Sequence, residues 1–225
     1  MWPLSGLSGA QGIFQIALIA ISALCALAYL VKYRLSPPSR TRTLVKATSA
    51  GALALGTIFG AGPVALIFFF ATAAVADAFL AREDEYGFYA AMATALLSQI
   101  FLCLSLFSAW TGVDAPLIAV LGLSGIWIGY FMLIWGALDR MRLIIVCYSV
   151  GTLVATYLAL GSTTYGQFAV VGMLFYVLSQ IFMSLEFFVL QPYSLEVRLG
   201  GHAIWLFYYT SLLLFFAAFH GSYVA

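Results

Sequence analysis

The chain alternates long apolar stretches with short polar ones. The apolar runs fall at about Ile13 to Val31, Leu44 to Phe59, Pro63 to Leu80, Phe88 to Ala109, Ala115 to Leu138, Leu143 to Leu160, Gln167 to Leu190 and Ala203 to Phe219. A helix needs about 20 apolar residues to cross a hydrocarbon core, so the pattern predicts eight membrane-spanning helices with the second the shortest. Pro37 and Pro38 break the chain between the first two runs, and Gly60-Ala61-Gly62-Pro63 makes a tight turn between the next two.

Composition agrees with the pattern. With 64% apolar and 8% charged residues there is too little polar surface to cover a water-soluble globule. The expected fold is an all-α integral membrane protein, one transmembrane helical domain over residues 1–225, multi-pass in the inner (plasma) membrane.

Charge then orients it. If the chain crosses eight times, Lys32, Arg34, Arg40, Arg42, Lys46, Arg82, Arg140, Arg142 and Arg198 all fall on one side. Short loops rich in Lys and Arg stay cytoplasmic, which places both termini outside the cytoplasm. A re-entrant second span would move Arg82 and everything after it across and scatter the cations. The first twelve residues carry no charge, unlike the basic start of a secretory signal, so the first helix is expected to be retained with its N-terminus outside. Trp2, Trp110, Tyr165 and Tyr193 lie near predicted span ends, where their rings suit the headgroup zone. A net charge of +1 in a single basic fringe gives no footprint for nucleic acid.

Several chemistries drop out. Cys25, Cys103 and Cys147 sit singly in apolar runs and read as packing. His202 and His220 lie at opposite ends of the last span and cannot share an ion. No mid-membrane Lys offers a Schiff base, and phosphate-cradling loops and serine-hydrolase elbows are missing. No metal or cofactor is expected.

What remains is a short list of intramembrane polar groups. An ionisable side chain at a helix centre costs about 2.5 to 3.5 kcal/mol on the insertion scale. Asp77 and Glu186 lie in two spans of the same direction, each close to the predicted cytoplasmic end and about 5 Å inside the interface at 1.5 Å per residue. Either can instead snorkel to water or pair with a loop Arg. The pentapeptide Leu-Ser-Gln-Ile-Phe occurs twice, at Leu97 to Phe101 and Leu178 to Phe182, in spans of opposite direction. It reads as a relic of inverted duplication or as plain interhelical hydrogen bonding through Ser98, Gln99, Ser179 and Gln180.

On these residues the chain resembles the YhhN family of multi-pass membrane proteins, whose characterised members are lysoplasmalogenases. Lys46 resembles a Lys that opens an early span in the family. Ala76-Asp77-Ala78-Phe79-Leu80 resembles its Gly-Asp-x-x-Leu element. Ser98-Gln99 stands where the family has Gly-His-x-x-Tyr, Ser179-Gln180 where it has Ser-Asp, and Tyr208-Tyr209 in its Tyr-rich final helix. The family's His thus corresponds to Gln99 and its second Asp to Gln180, and neither amide can exchange a proton near neutral pH.

The resemblance implies hydrolysis of the vinyl ether bond of a membrane lipid, a lysoplasmalogen, to a fatty aldehyde and a glycerophospho-headgroup. Asp77 is the expected general acid, since an apolar surrounding disfavours the charged carboxylate. Gln180 and Gln99 complete the catalytic set as amides that can orient water. Lys46, Glu186 and Tyr208 are assigned to substrate binding, Lys46 for a lipid phosphate, although topology alone also demands a cation there. Two alternatives stand beside this: a family member that binds lipid without turnover, and a small proton-coupled transporter.

Overall fold

The computed structural model describes residues 9–111, 117–138, 141–162, 166–190 and 195–220. Its elements are helices: α1 (Gly9–Ala28), α2 (Arg40–Phe59), α3 (Val64–Leu80), α4 (Glu85–Ser108), α5 (Leu117–Ile134), α6 (Arg142–Leu160), α7 (Gly166–Phe188) and α8 (Leu195–His220). A π-turn, Tyr29–Tyr33, continues α1, and a 3-10 turn, Trp135–Ala137, continues α5.

One helix stands for each apolar run, but α1, α2, α4 and α8 begin three or more residues earlier than the runs do. For α2 and α4 the reason is capping. Ser39 accepts a hydrogen bond from the Arg42 N–H at 3.2 Å, and Asp84 accepts one from the Gly87 N–H, so α2 and α4 start at these caps and carry a charged first turn. Trp2, Tyr165, Tyr193 and Arg140 lie outside the described residues.

Among the described residues, α1 with its π-turn, α4, α6, α7 and α8 are each long and apolar enough to cross a membrane, with α3 and part of α5 as shorter apolar helices. The outer surface is correspondingly apolar: Ile13, Leu24, Phe107, Met132 and Leu143 are each more than half exposed. Water does not tolerate such a continuous apolar coat, whereas lipid does. This is the surface of a membrane protein.

The interior mixes rings with polar groups. Phe69, Phe70, Phe215, Phe219, Leu102 and Leu212 are enclosed at the centre. Alongside them Ser22, Ser49, Thr57, Gln99, Ser105, Thr152 and Ser211 are equally buried. In sequence order α1 packs on α2, α2 on α3 and α3 on α4; α7 packs on α8, α4 on α6, and α5 sits at the edge against α6 and α7. Ion pairs gather the C-terminal ends of α1, α3 and α7 with the N-terminal end of α2: Arg34 with Glu186, Arg42 with Glu83, and Lys46 with Asp77. At the opposite end Gln15 donates to the Gly56 carbonyl at 3.3 Å, and the His220 ring stacks on Phe216.

Candidate functional site

Asp77 occupies the last turn of α3 and is 4% exposed. One carboxylate oxygen, Oδ1, lies 3.4 Å from Lys46 Nζ on α2. The other, Oδ2, accepts a hydrogen bond from the Tyr208 hydroxyl on α8 at 3.1 Å. A buried carboxylate without such partners would be strongly disfavoured. Three helices therefore converge on one acid.

Lys46 is enclosed in turn. Its ammonium lies 5.4 Å from the ring centroid of Tyr29 and 5.6 Å from that of Trp205. The two rings touch each other at 4.4 Å, and the Trp205 indole N–H donates to the Ala26 carbonyl at 3.0 Å. Trp205 and Tyr208, three apart on α8, share a helix face. One therefore reaches Lys46 while the other holds Asp77.

A second layer lies within electrostatic reach of the first. Tyr176 on α7 interacts with both Asp77 and Tyr208, and Tyr148 on α6 with Tyr208. The Tyr148 and Tyr176 hydroxyls hydrogen-bond to each other, and Tyr176 donates to Gln99 Oε1 at 3.5 Å. The Gln99 amide N–H donates to Thr152 at 2.9 Å. Gly151 makes this approach of α6 to α4 feasible, because a Cβ there would stand 2.9 Å from Gln99 Cγ. The polar groups thus run from Lys46 through Asp77, Tyr208 and the tyrosine pair to Gln99 and Thr152, across six helices.

Of the residues singled out in the sequence, Asp77, Lys46 and Tyr208 meet directly, and Gln99 lies in the neighbouring layer, bonded to Tyr176. Gln180 is buried on α7, where its carbonyl accepts from Ser184; among the described residues no hydrogen bond joins its amide to Asp77, Lys46 or Gln99. Glu186 stands apart as well. Both its oxygens accept from Arg34, at 3.0 and 3.3 Å, and the Arg34 guanidinium lies over Gly201, where a Cβ would come within 1.9 Å of it.

Sequence reading missed Tyr29, Trp205, Tyr148, Tyr176 and Thr152. Aromatic polar residues at span ends read as interfacial anchors, which hides the ones that turn inward. The usable signal was the Trp205, Tyr208, Tyr209 cluster at helical spacing.

Next to this centre, one turn beyond Asp77, a cleft of about 420 Å³ opens between Leu80, the acids Glu83 to Glu85, Phe88, and Phe187 and Phe188. Glu83 holds a left-handed φ of 57°, a conformation costing a non-glycine residue about 1 to 2 kcal/mol, where its carboxylate meets Arg42. The Gly87 N–H and the Arg82 guanidinium hold the Asp84 carboxyl below its ordinary pKa. Among the described residues no three His, Cys, Asp or Glu side chains cluster as metal ligands.

The YhhN family model matches residues 41–219, a segment that contains Lys46, Asp77, Gln99, Gln180, Glu186 and Tyr208 and leaves α1 outside. No curated protein and no solved structure matches the chain. The match spans most of the sequence, from the first turn of α2 to the last turn of α8, and the chain belongs to the YhhN family.

Proposed function

We propose that this protein hydrolyses the vinyl ether bond of a lysoplasmalogen-like lipid, with Asp77 as the proton donor. The observation that carries the reading is the enclosed Asp77, with an ammonium on one oxygen and a phenol on the other. Cleaving a vinyl ether begins by protonating its outer alkene carbon, which gives an oxocarbenium ion. In the reacting form the Asp77 carboxyl is protonated, and it supplies that proton. As it leaves, negative charge develops on the carboxylate, where Lys46 and Tyr208 are already placed to stabilise it without reorganisation. Water then adds to the oxocarbenium carbon and returns a proton to Asp77. The hemiacetal so formed collapses to aldehyde and the glycerol hydroxyl, so one water is consumed overall.

In this reading the chain crosses the bilayer eight times with both termini outside, and the lipid enters from the cytoplasmic leaflet. The gathering of Arg34, Arg42, Lys46 and Arg82 with their acid partners at one end of the bundle supports that orientation. The apolar-walled cleft beside Leu80 is the suggested entry for the chain of the lipid. Lys46 acts on the carboxylate and not on a lipid phosphate, because its ammonium is already committed to Asp77. Gln99 supports the centre through Tyr176, while Glu186 belongs to the Arg34 pair at its edge.

The purified protein, given an alkenyl lysophospholipid, is expected to release aldehyde, and Asp77→Asn to abolish the release. Undiminished turnover in Asp77→Asn would contradict the assignment. A second reading, lipid binding without turnover, draws on the neutral amides Gln99 and Gln180 and on the full engagement of Gln99 by Thr152 and Tyr176. It predicts co-purifying lipid and no aldehyde.

A further inference from the structure

The family match starts at residue 41, yet one wall of the site comes from before it. Only one stripe of α1 is buried, and its residues are Gln15, Ser22 and Ala26, followed by Tyr29 in the π-turn. Each of these points has a partner on the site helices. Ser22 bonds the Tyr209 hydroxyl at 2.8 Å and the Ser49 carbonyl at 2.5 Å, tying α1 to α8 and α2. Ala26 supplies the carbonyl that the Trp205 indole binds. The opposite face of α1 looks outward, with Ile13, Phe14, Leu24 and Leu27 exposed.

The π-turn then begins at Tyr29 itself. The Arg34 N–H reaches back to the Tyr29 carbonyl at 2.8 Å, one residue further than in an α-helix, and such single turns recur at functional sites. Tyr29 is 3% exposed, its ring over Lys46. Lys46 in turn has one carboxylate and two ring faces around its charge. Ring faces attract a cation, and more strongly when both are out of water.

We infer that Tyr29 and Trp205 form an aromatic cage that positions the Lys46 ammonium on Asp77, so that α1, outside the matched segment, is a working part of the site. Among the described residues the polar partners of Asp77 are Lys46 and Tyr208, and the two rings act through Lys46. The inference rests on the reading of Lys46 and Asp77 as the reactive pair. It predicts a loss in kcat more than in KM, because the ammonium matters when charge develops on Asp77.

The test compares Tyr29→Leu, which removes the ring, with Tyr29→Phe, which keeps it and drops the hydroxyl. Turnover of an alkenyl lysophospholipid by the full chain is measured alongside NMR of protein carrying 13C-labelled lysine. Lys32 and Lys46 are the chain's lysines, so Lys32 serves as the internal reference. Tyr29→Leu is expected to lower kcat about tenfold with KM changed less than about twofold, and to reduce the ring-current shift of the Lys46 side chain to the part due to Trp205. Tyr29→Phe recovers both. Wild-type kcat and an unmoved Lys46 signal in Tyr29→Leu would overturn the cage, and so would Tyr29→Phe behaving like Tyr29→Leu. If the wild-type protein releases no aldehyde, the hydrolase reading fails while the Lys46 signal still decides the cage.

Discussion

The two copies of Leu-Ser-Gln-Ile-Phe, in α4 and α7, have the same residues and nearly the same use, and they part at one side chain. Ser98 donates to the Phe69 carbonyl on α3 and Ser179 to the Ile204 carbonyl on α8, both at 3.0 Å. Phe101 stacks on Phe68 of α3, and Phe182 meets Phe207 of α8. In both hairpins the Ser and the Phe bind a helix to its partner. The glutamines differ: Gln99 is fully enclosed and engaged by Thr152 and Tyr176, whereas among the described residues no such link joins Gln180. Repetition therefore explains the helix pairing, and the neighbouring helices explain the site. α6 and α7 bring Thr152 and Tyr176 to Gln99, and the same Tyr176 stands within reach of Asp77.

The largest contrast to probe lies between the two acids of these halves. Asp77→Ala leaves the Lys46 cation buried without its carboxylate, and breaking a buried pair in this way costs about 3 to 5 kcal/mol. Glu186→Ala breaks a pair whose side chains are 20% and 18% exposed and is expected to cost less than about 1 kcal/mol. Thermal unfolding of the purified variants in one detergent measures both; equal losses would put the two acids on the same footing.

Next comes Gln99→Leu against Gln180→Leu. The first strips Thr152 and Tyr176 of a partner at a cost of about 1 to 2 kcal/mol, the second less than about 0.5 kcal/mol, read by the same melts. Matching values would erase the distinction drawn between the copies. The smallest effect is the shared one: Ser98→Ala and Ser179→Ala should each lose about 0.6 kcal/mol and agree within error. A clear difference between them would show that the copies do not pair helices in the same way.

Much of this architecture was legible in the sequence. Every apolar run became a helix, because each carries its own backbone hydrogen bonds and needs no partner to be recognised. Helix starts were misjudged where caps such as Ser39 and Asp84 lie outside the apolar run. Asp77, Lys46 and Tyr208 stood out because a charge or phenol in an apolar run demands a reason. Tyr29, Trp205 and Tyr176 did not, since a ring is at home both in lipid and in the core, and only packing decides. Which acid Lys46 would pair with was likewise hidden: sequence placed Asp77 and Glu186 at one depth, while Arg34 reached Glu186 first.

The most direct test of the central claim is the reaction in D2O with an alkenyl lysophospholipid, the aldehyde being reduced at once to block exchange and weighed by mass spectrometry. Protonation of the vinyl carbon by solvent-exchanged Asp77 predicts a product with one deuterium on the carbon next to the former carbonyl, and no such product from Asp77→Asn. No aldehyde from the wild-type protein, or the same labelled aldehyde from Asp77→Asn, would contradict it.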